Sequence, residues 1–409
     1  MLQSVFAFFL VLAQMMFTQI GIGVPIIRPE NPKNTYPIVF VHGLGGWGQS
    51  AGLNGVYPHW ELQEYLREQG YETYAASVGP ISSAWDRACE LYAELTGTTV
   101  DYGEAHAKAH NHARFGETYK KLLPNWSKNQ KIHLIGHSFG GATIRLFVQL
   151  LNEGSAEERK TTGKENLSPL FSGDLDGLVS SVATLGAPHN GMTATDLPEM
   201  QSLLGVVAGI SAAVPVVEYL YPSRLRHFGV STKVCYLDSP IAMVRNWDAF
   251  MQGTDNAGID LSVDGAYDVN RMIQCQPDIF YFSFAAQITQ DDGAGNQVLN
   301  EYGKSSVFAR SAVSIGKKVE PYKTARGVLI DDSWLPNDGL VNVISAQYPF
   351  GEPHKNYDAN KLERGTWQVM PTIKTFDHEA FSGSLATNDD PQKVYDTLVG
   401  IYTKIEKQR

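Results

Sequence analysis

Cysteine is scarce in this chain: Cys89, Cys235 and Cys275 are the only three among 409 residues. A scaffold held together by many disulfides is therefore excluded, because such scaffolds contain cysteine at a much higher density. Two arrangements stay open. Either Cys235 and Cys275 form one bridge and Cys89 is a buried thiol on a helix, or all three are buried free thiols.

Basic residues are also few. The chain has 33 Lys and Arg against 43 Asp and Glu, which gives a formal net charge of −10 at pH 7. This charge argues against nucleic acid as a partner and against a strongly anionic membrane surface. The sequence contains no internal repeat and no long charge run, and its hydrophobic fraction of 43% is sufficient for a large core.

The apolar run at residues 5–17 is short. It covers about 13 residues, whereas a membrane-spanning helix needs about 20. Gly21 and Gly23 follow it, and the first basic residue is Arg28. Although no positive charge precedes the run, it resembles a secretory signal peptide. We therefore predict a signal peptide at residues 1–23 and one secreted, extracellular domain at residues 24–409, with no integral membrane span in the mature chain. A membrane anchor and a buried N-terminal helix are the alternatives.

A Gly-rich pentapeptide links a predicted strand to a predicted helix. Residues 132–135 are apolar and β-prone, residues 142–151 have the pattern of an amphipathic helix, and Gly136-His-Ser-Phe-Gly140 lies between them. The pattern G-x-S-x-G is typical of a strained turn that lifts a serine hydroxyl above a sheet. It predicts Ser138 as a nucleophile and the backbone N–H of Phe139 as an oxyanion donor. The alternative is an ordinary Gly-rich turn.

A second Gly-rich loop, His42-Gly-Leu-Gly-Gly46, follows the apolar residues 38–41. Enzymes with the α/β-hydrolase fold have their second oxyanion donor at this place, and we assign that role to the Leu44 N–H. The alternative is a phosphate-binding loop, and the missing G-K-[ST] sequence argues against it. Together the two loops predict an α/β-hydrolase fold, with a mostly parallel central sheet flanked by helices.

A hydrolase of this class also needs an acid and a base, which follow the nucleophile in that order along the chain. Four histidines come after Ser138: His189, His227, His354 and His378. His378 comes last and follows Asp338 by one strand–loop unit, and Asp338 lies in an Asn-Asp-Gly turn that can present its carboxylate. We therefore predict the triad Ser138, His378 and Asp338. The competitors are His189, Asp331 and Asp332.

Carboxylate and imidazole side chains accumulate in residues 80–116, where Asp86, His106, His110 and His112 are close in sequence. Imidazole and carboxylate are the ligands of a zinc site that has no thiolate. From spacing alone, two interpretations stay open. The segment is a metal-binding insertion, or it carries a group of solvated histidines.

Residues 197–220 are the most apolar part of the chain after residue 24. Apolar side chains cover more than one face of the predicted helix, which must therefore be buried or face lipid. We predict a helical lid here, within a cap region at residues 190–260. A core helix is the alternative.

Four unusual strings carry a family resemblance: residues 83–90 (SAWDRACE), 100–106 (VDYGEAH), 112–116 (HARFG) and 330–342 (IDDSWLPNDGLVN). From Tyr36 onward the chain resembles the bacterial zinc-containing true lipases, the thermoalkalophilic group related to staphylococcal lipases. The resemblance implies a secreted triacylglycerol lipase that is activated at lipid–water interfaces. A carboxylesterase or phospholipase on the same scaffold is the alternative, followed by a non-catalytic binding protein.

The resemblance also implies particular site residues. It supports the predicted triad and the oxyanion amides of Leu44 and Phe139, where family members often have Phe and Gln. It implies a structural zinc ion and leaves His110 as a bystander. The zinc ligands carry over onto four residues: Asp86, His106, His112 and Asp255.

The family's calcium site does not transfer directly. An acidic residue is expected two positions after the catalytic histidine, but residue 380 is Ala, Glu379 comes one residue early, and Asp390-Pro391 is displaced by an insertion. Gly303 could still give a carbonyl oxygen. A bound calcium ion would therefore need a different geometry.

Overall fold

The computed structural model describes residues 29–46, 48, 61–197, 224–230, 240–383 and 391–408. The predicted signal peptide lies outside these ranges, and so does the predicted lid except for Leu197. Cys235 lies outside them too, while Cys89 and Cys275 carry free thiols. Within the described part of the chain, no helix is both long enough and apolar enough to cross a bilayer.

The β-strands are short. They are β1 (Ile38–Val41), β2 (Thr73–Ala76), β3 (Thr99–Asp101), β4 (Phe115–Thr118), β5 (Ile132–His137), β6 (Val179–Leu185), β7 (Phe280–Phe284), β8 (Thr289–Asp291), β9 (Gln297–Leu299), β10 (Tyr322–Lys323), β11 (Leu329–Ile330), β12 (His354–Asn356) and β13 (Trp367–Val369).

The α-helices are α1 (Glu61–Glu68), α2 (Ala84–Thr96), α3 (Glu104–His110), α4 (Gly140–Glu153), α5 (Ala156–Thr161), α6 (Pro240–Gln252), α7 (Ala257–Asp260), α8 (Val263–Asn270), α9 (Ala309–Ile315), α10 (Val343–Gln347) and α11 (Gln392–Glu406). Short 3₁₀-helices occur at Lys164–Asn166, Pro169–Phe171, Thr193–Asp196, Arg226–Phe228, Gly303–Ser305, Asp332–Trp334 and His378–Ser382.

Seven strands form one sheet in the order β12–β13–β7–β6–β5–β1–β2. Every neighbouring pair in this sheet is parallel. Because the strands are parallel, their carboxyl ends meet at one edge, which is where open α/β sheets place their sites. The predicted α/β-hydrolase fold with a mostly parallel sheet is confirmed.

Apart from the edge strand β12, the sheet is buried on both faces, which explains the continuous apolar run of β1. Along β1, Ile38 and Phe40 pack into one core and Val39 and Val41 into the other. Helix α11 covers the face of Ile38 and Phe40. This two-sided burial fixes the strands and therefore the loops at their carboxyl ends.

The predicted insertion at residues 80–116 contains α2, β3, α3 and the start of β4. Helix α2 begins at Ser83, whose hydroxyl accepts a hydrogen bond from the Asp86 N–H, and it ends at Gly97 in the left-handed conformation (φ +74°). These are the usual signals for starting and stopping a helix. The helix carries buried charged residues, and these matter for both sites described below.

Candidate active site and metal site

Ser138 lies at the sharp turn between β5 and α4 and has a left-handed backbone (φ +54°). A non-glycine residue is strained in this conformation. The chain can turn here because its neighbours have no side chains. A Cβ atom on Gly140 would lie 2.2 Å from the Val41 carbonyl oxygen, and one on Gly136 would lie 2.6 Å from the Gly140 backbone. The two glycines are therefore required by close backbone contacts.

The structure brings the three predicted triad residues together. Ser138 Oγ lies 2.8 Å from His378 Nε2, and His378 Nδ1 lies 2.9 Å from Asp338 Oδ2. All three residues are buried. Because a carboxylate can only accept, His378 Nδ1 carries the proton and Nε2 is left to accept the Ser138 hydroxyl hydrogen.

Backbone groups hold Asp338 and His378 in place. Asp338 Oδ1 accepts hydrogen bonds from the N–H groups of Leu340 (3.0 Å) and Val341 (2.7 Å). Asp338 O accepts a further bond from the His378 N–H at 3.0 Å. His137 Nε2 lies 2.9 Å from the His378 carbonyl oxygen. The imidazole and the carboxylate are thus fixed relative to each other before any substrate arrives.

The environment of His378 raises its pKa. Burial by itself lowers the pKa of His378, but the negative charge and hydrogen bond of Asp338 outweigh it, so the pKa is raised above its ordinary value. A raised pKa makes the imidazole a stronger proton acceptor. It also means that the imidazolium form is stabilised when a proton is taken up.

The loop of residues 42–46, called the oxyanion loop below after its predicted role, lies against Ser138. A Cβ atom on Gly43 would lie 2.7 Å from Ser138 Cβ and 3.2 Å from Ser138 Oγ. Leu44 follows Gly43 in this turn, and Phe139 follows Ser138. The two residues predicted to give oxyanion amides therefore flank Ser138, the predicted nucleophile, from two different loops.

The competing residues have other roles. His189 is buried, and its Nε2 lies 3.0 Å from Thr184 Oγ1. Burial and the charge of Arg145 lower the pKa of His189 well below its ordinary value, so it stays neutral. Asp331 caps the helical turn that follows it, and Asp332 is exposed. The geometry thus favours Asp338 and His378 over these residues.

The predicted zinc ligands also converge. One oxygen or nitrogen atom from each of Asp86, His106, His112 and Asp255 lies within 4.8 Å of the others. We call these four residues the metal cluster. His106 Nε2 lies 3.1 Å from Asp255 Oδ2 and 3.4 Å from Asp86 Oδ1, and His112 Nε2 lies 3.3 Å from Asp255 Oδ2. Of the two interpretations left open by the sequence, this geometry favours a metal site.

Two buried atoms of the metal cluster indicate that it is built for a cation. Asp86 Oδ1 and His112 Nε2 make no well-aligned hydrogen bond and have only the 3.4 and 3.3 Å contacts within the cluster. A polar atom that is buried without a partner is costly, and a metal ion would satisfy both. His112 Nδ1 lies 2.9 Å from the Ala113 carbonyl oxygen, which leaves the Nε2 lone pair free to point into the cluster. His110 is not part of the cluster, as expected of a bystander.

The carboxylates and imidazoles of the cluster strongly affect each other's charge. Burial lowers the pKa of His106, but Asp255 and Asp86 raise it to about 10. Burial raises the pKa of Asp255, yet His106 and His112 bring it well below its ordinary value. The site therefore favours positive charge at its centre, whether from imidazolium groups or from a metal ion.

Sequence reasoning missed His227 as a neighbour of this site. Its side chain is fully buried, and its Nε2 lies 2.7 Å from Asp86 Oδ2. This contact occupies one oxygen of Asp86 and leaves Oδ1 for the cluster. A buried histidine commonly orients a ligand in this way. Because His227 is far from Asp86 along the chain, the sequence gave no indication of this contact.

The residues considered for a calcium ion are only partly described by the structure. Ala380 is buried, and Glu379 Oε2 lies 3.1 Å from Ser382 Oγ. Asp390 lies outside the described residues. Among those that are described, the metal cluster is the one group of three or more carboxylate, imidazole or thiol side chains that could hold an ion.

The family model described as "Lipase-like, C-terminal domain" matches residues 34–408. A curated relative, the lipase of Staphylococcus hyicus, is 34% identical over 403 residues, covering 93% of this chain and 59% of its own length. This chain therefore spans somewhat more than half of that relative.

Solved structures give the same result. The crystal structure of Staphylococcus hyicus lipase matches with a TM-score of 0.81 and 33% identity, covering 94% of this chain and 99% of that one. EstA from Clostridium botulinum matches with a TM-score of 0.76 and 36% identity, covering 94% and 92%. Lipase 1 from Pelosinus fermentans matches with a TM-score of 0.72 and 35% identity, covering 91% and 98%. The chain belongs to the family of lipase-like C-terminal domains, which includes the staphylococcal lipases.

Proposed function

We propose that this protein is a triacylglycerol lipase that cleaves ester bonds through an acyl-enzyme intermediate. The observation that carries the proposal is the buried chain of hydrogen bonds from Ser138 to His378 to Asp338. The left-handed backbone of Ser138 adds support, because such strain is common where a nucleophile is held in a reactive position. The family membership agrees with this reaction class.

In the proposed reaction, His378 Nε2 takes the proton of the Ser138 hydroxyl as Oγ attacks the ester carbonyl. Asp338 keeps the proton on Nδ1 and stabilises the imidazolium that forms. His378 then gives the proton to the leaving alcohol, and the acyl group stays on Ser138. A water molecule, activated by the same imidazole, releases the fatty acid.

The negative charge that develops on the carbonyl oxygen needs donors. We assign these to the backbone N–H groups of Leu44 and Phe139. Leu44 is in the oxyanion loop beside Ser138, and Phe139 precedes the first turn of α4, where the helix dipole favours negative charge. Both donors are backbone groups, so the side chains at these positions affect the shape of the pocket more than the mechanism.

We propose zinc as the ion of the metal cluster. Two ligands bound at about 2.0–2.1 Å to a tetrahedral zinc ion lie about 3.3 Å from each other. The three contacts of 3.1, 3.3 and 3.4 Å within the cluster agree with this spacing. Four protein ligands leave no open position for substrate or water, so the ion would stabilise the fold without taking part in hydrolysis. Metal analysis of purified protein tests this: a finding of no zinc would contradict it.

Hydrolysis of emulsified long-chain triglyceride tests the proposed function. Wild type should release fatty acid, and Ser138→Ala should lose the activity while keeping the circular dichroism spectrum and thermal midpoint of wild type. Full activity in Ser138→Ala would refute the proposed nucleophile. A fluorophosphonate probe that failed to label Ser138 would favour a non-catalytic binding protein.

The same assay separates a lipase from a carboxylesterase. Rates are measured with esters of increasing chain length, below and above their solubility limit. A rise in rate once the substrate forms a separate phase supports a lipase that acts at lipid–water interfaces, and no rise supports a carboxylesterase. The extracellular location and the lid at residues 197–220 remain predictions from the sequence.

A further inference from the structure

Arg87 is a fully buried arginine on helix α2, next to the metal-cluster residue Asp86 and facing the oxyanion loop. Its guanidinium donates to three backbone carbonyl oxygens: those of His42, Gly43 (3.5 Å) and Gly79 (2.7 Å). Two of these belong to the oxyanion loop. A buried cation is costly unless several acceptors satisfy it, and here backbone carbonyls do so.

The carbonyl of Gly43 and the N–H of Leu44 belong to the same peptide unit. Because that unit is planar and trans, the two groups point in opposite directions. A donor that holds the Gly43 oxygen therefore also fixes the direction of the Leu44 N–H. Three donors converge on the Gly43 oxygen: His42 Nδ1 at 2.8 Å, the Gly46 N–H at 3.3 Å and, at a longer 3.5 Å, the Arg87 guanidinium.

His42 can donate to the Gly43 oxygen because its tautomer and its neutral charge are both fixed. Its Nε2 accepts the Val78 N–H at 3.1 Å, so the proton of the neutral ring is on Nδ1 and points at Gly43 O. Burial, followed by the charge of Arg87, lowers the pKa of His42 well below its ordinary value. The ring thus stays neutral, and Arg87 is the permanently charged donor on this side of the site.

Arg87 also contacts the start of α4, on the side of the site that contains Phe139. Its Nε donates to Thr143 Oγ1 at 2.8 Å, and the Thr143 hydroxyl donates to the Phe139 carbonyl oxygen at 3.2 Å. Its guanidinium carbon lies 4.9 Å from the centre of the Phe139 ring. One side chain therefore contacts both the oxyanion loop and the residue that follows the nucleophile.

The loop after β2 is tied to the same helix. Glu90, one turn after Arg87, accepts the Gly79 N–H at 2.5 Å, while Arg87 holds the Gly79 carbonyl oxygen. The next residue, Pro80, accepts the Gly45 N–H at 2.9 Å. Helix α2 thus fixes the oxyanion loop directly through Arg87 and indirectly through the Gly79-Pro80 segment after β2.

We propose that Arg87 is a positioning residue for the oxyanion hole: it aligns the Leu44 and Phe139 amides by holding the Gly43 peptide and the start of α4. This inference rests on the proposed function. Arginine is needed because its planar fork donates in several directions at once, whereas the single ammonium group of lysine cannot meet four separated acceptors.

The test compares Arg87→Lys with wild type on a soluble ester, p-nitrophenyl butyrate, well below the thermal midpoint. Losing one oxyanion donor typically lowers kcat by about 100- to 1000-fold, so a misaligned pair should lower it by roughly tenfold or more. KM should change much less, because the amides act mainly in the transition state. Zinc content and the pH of half-maximal kcat/KM should match those of wild type.

Arg145→Lys is the matched control, because Arg145 is also a buried arginine but donates to Asn270, away from the oxyanion loop. Its kcat should stay within about twofold of wild type. If Arg87→Lys fails to fold, comparing kcat of Thr143→Val with kcat of Thr143→Ser tests the positioning role instead. The valine variant loses the link to Arg87 and should lower kcat severalfold, and the serine variant keeps the hydroxyl and should recover most of the rate.

The outcomes distinguish the positioning role of Arg87 from the proposed lipase function. A folded Arg87→Lys with the kcat of Arg145→Lys, or equal kcat for the two Thr143 variants, overturns the positioning role alone. If wild type is no faster than Ser138→Ala, the proposed function fails and the role of Arg87 fails with it. A lower thermal midpoint with unchanged kcat would make Arg87 a purely structural residue.

Discussion

Replacing Asp338 by asparagine tests the triad most directly, because the surroundings of this side chain allow only one orientation of the amide. Asp338 Oδ1 accepts the N–H groups of Leu340 and Val341 at 3.0 and 2.7 Å. In Asp338→Asn, the amide oxygen must take this place, since an NH₂ group there would face two donors. The amide NH₂ then points at His378 Nδ1, which is 2.9 Å from Oδ2 in wild type.

An NH₂ group at this place reverses the hydrogen bond to His378. Nδ1 must now accept, so the proton of the neutral imidazole moves to Nε2, the atom that faces Ser138 Oγ at 2.8 Å. A protonated Nε2 cannot take the Ser138 proton. A wrong tautomer of this kind lowers kcat by roughly 10⁴, or about 5 kcal/mol in the barrier.

The assay is kcat for p-nitrophenyl butyrate as a function of pH. In wild type, His378 must be neutral to act as the base. Because its pKa is raised, activity is lost as pH falls through a midpoint above the ordinary histidine value. Asp338→Asn removes the charge that raises this pKa, so the midpoint of the residual activity should move to lower pH.

Asp331→Asn is the matched control, because asparagine caps a helical turn as well as aspartate does and Asp331 does not contact His378. It should keep the rate and the pH profile of wild type. If folded Asp338→Asn kept kcat within tenfold of wild type, the assignment of the acid would be wrong. An unshifted acidic midpoint would contradict the account of the His378 pKa.

Three further changes test the oxyanion loop and the metal cluster. Gly43→Ala places a Cβ atom 2.7 Å from Ser138 Cβ, so kcat should fall by at least about tenfold. Gly163→Ala is the control, because its Cβ atom would meet nothing within 4 Å and kcat should not change. Equal rates for the two variants would show that the oxyanion loop can move to make room for the added atom. His227→Ala removes the partner of Asp86 and should weaken zinc binding by about 10- to 100-fold in competition with a chelator; unchanged affinity would exclude an orienting role. Full chelation should lower the thermal midpoint, and an unchanged midpoint would contradict a stabilising ion.

The local sequence predicted those parts of the site that depend on chain neighbours. Ser138 is flanked by glycines that permit a left-handed turn, and the strand before it and the helix after it are visible as apolar patterns. The oxyanion loop was recognisable for the same reason, as a Gly-rich segment after a buried strand. Such conformations are set by sterics within a few residues, which a sequence displays directly.

Residues far apart in the chain were harder to assign. Chain order in the fold selected Asp338 and His378, and the family resemblance added Asp255 to the metal cluster. Neither the chain order nor the family resemblance could predict the side-chain contacts within the two sites. These depend on the sheet and the insertion that bring the segments together.

His227 and Arg87 were not recognised from the sequence as parts of a site. Nothing in their local sequence distinguishes them from other buried or surface residues, because their role depends on which carboxylate or carbonyl lies opposite after folding. The sequence by itself therefore indicated the fold class and the reaction class, and it predicted the nucleophile. Only the tertiary structure showed which buried side chains contact the predicted catalytic and metal-binding groups, since hydrogen bonds across distant segments exist only once the core has packed.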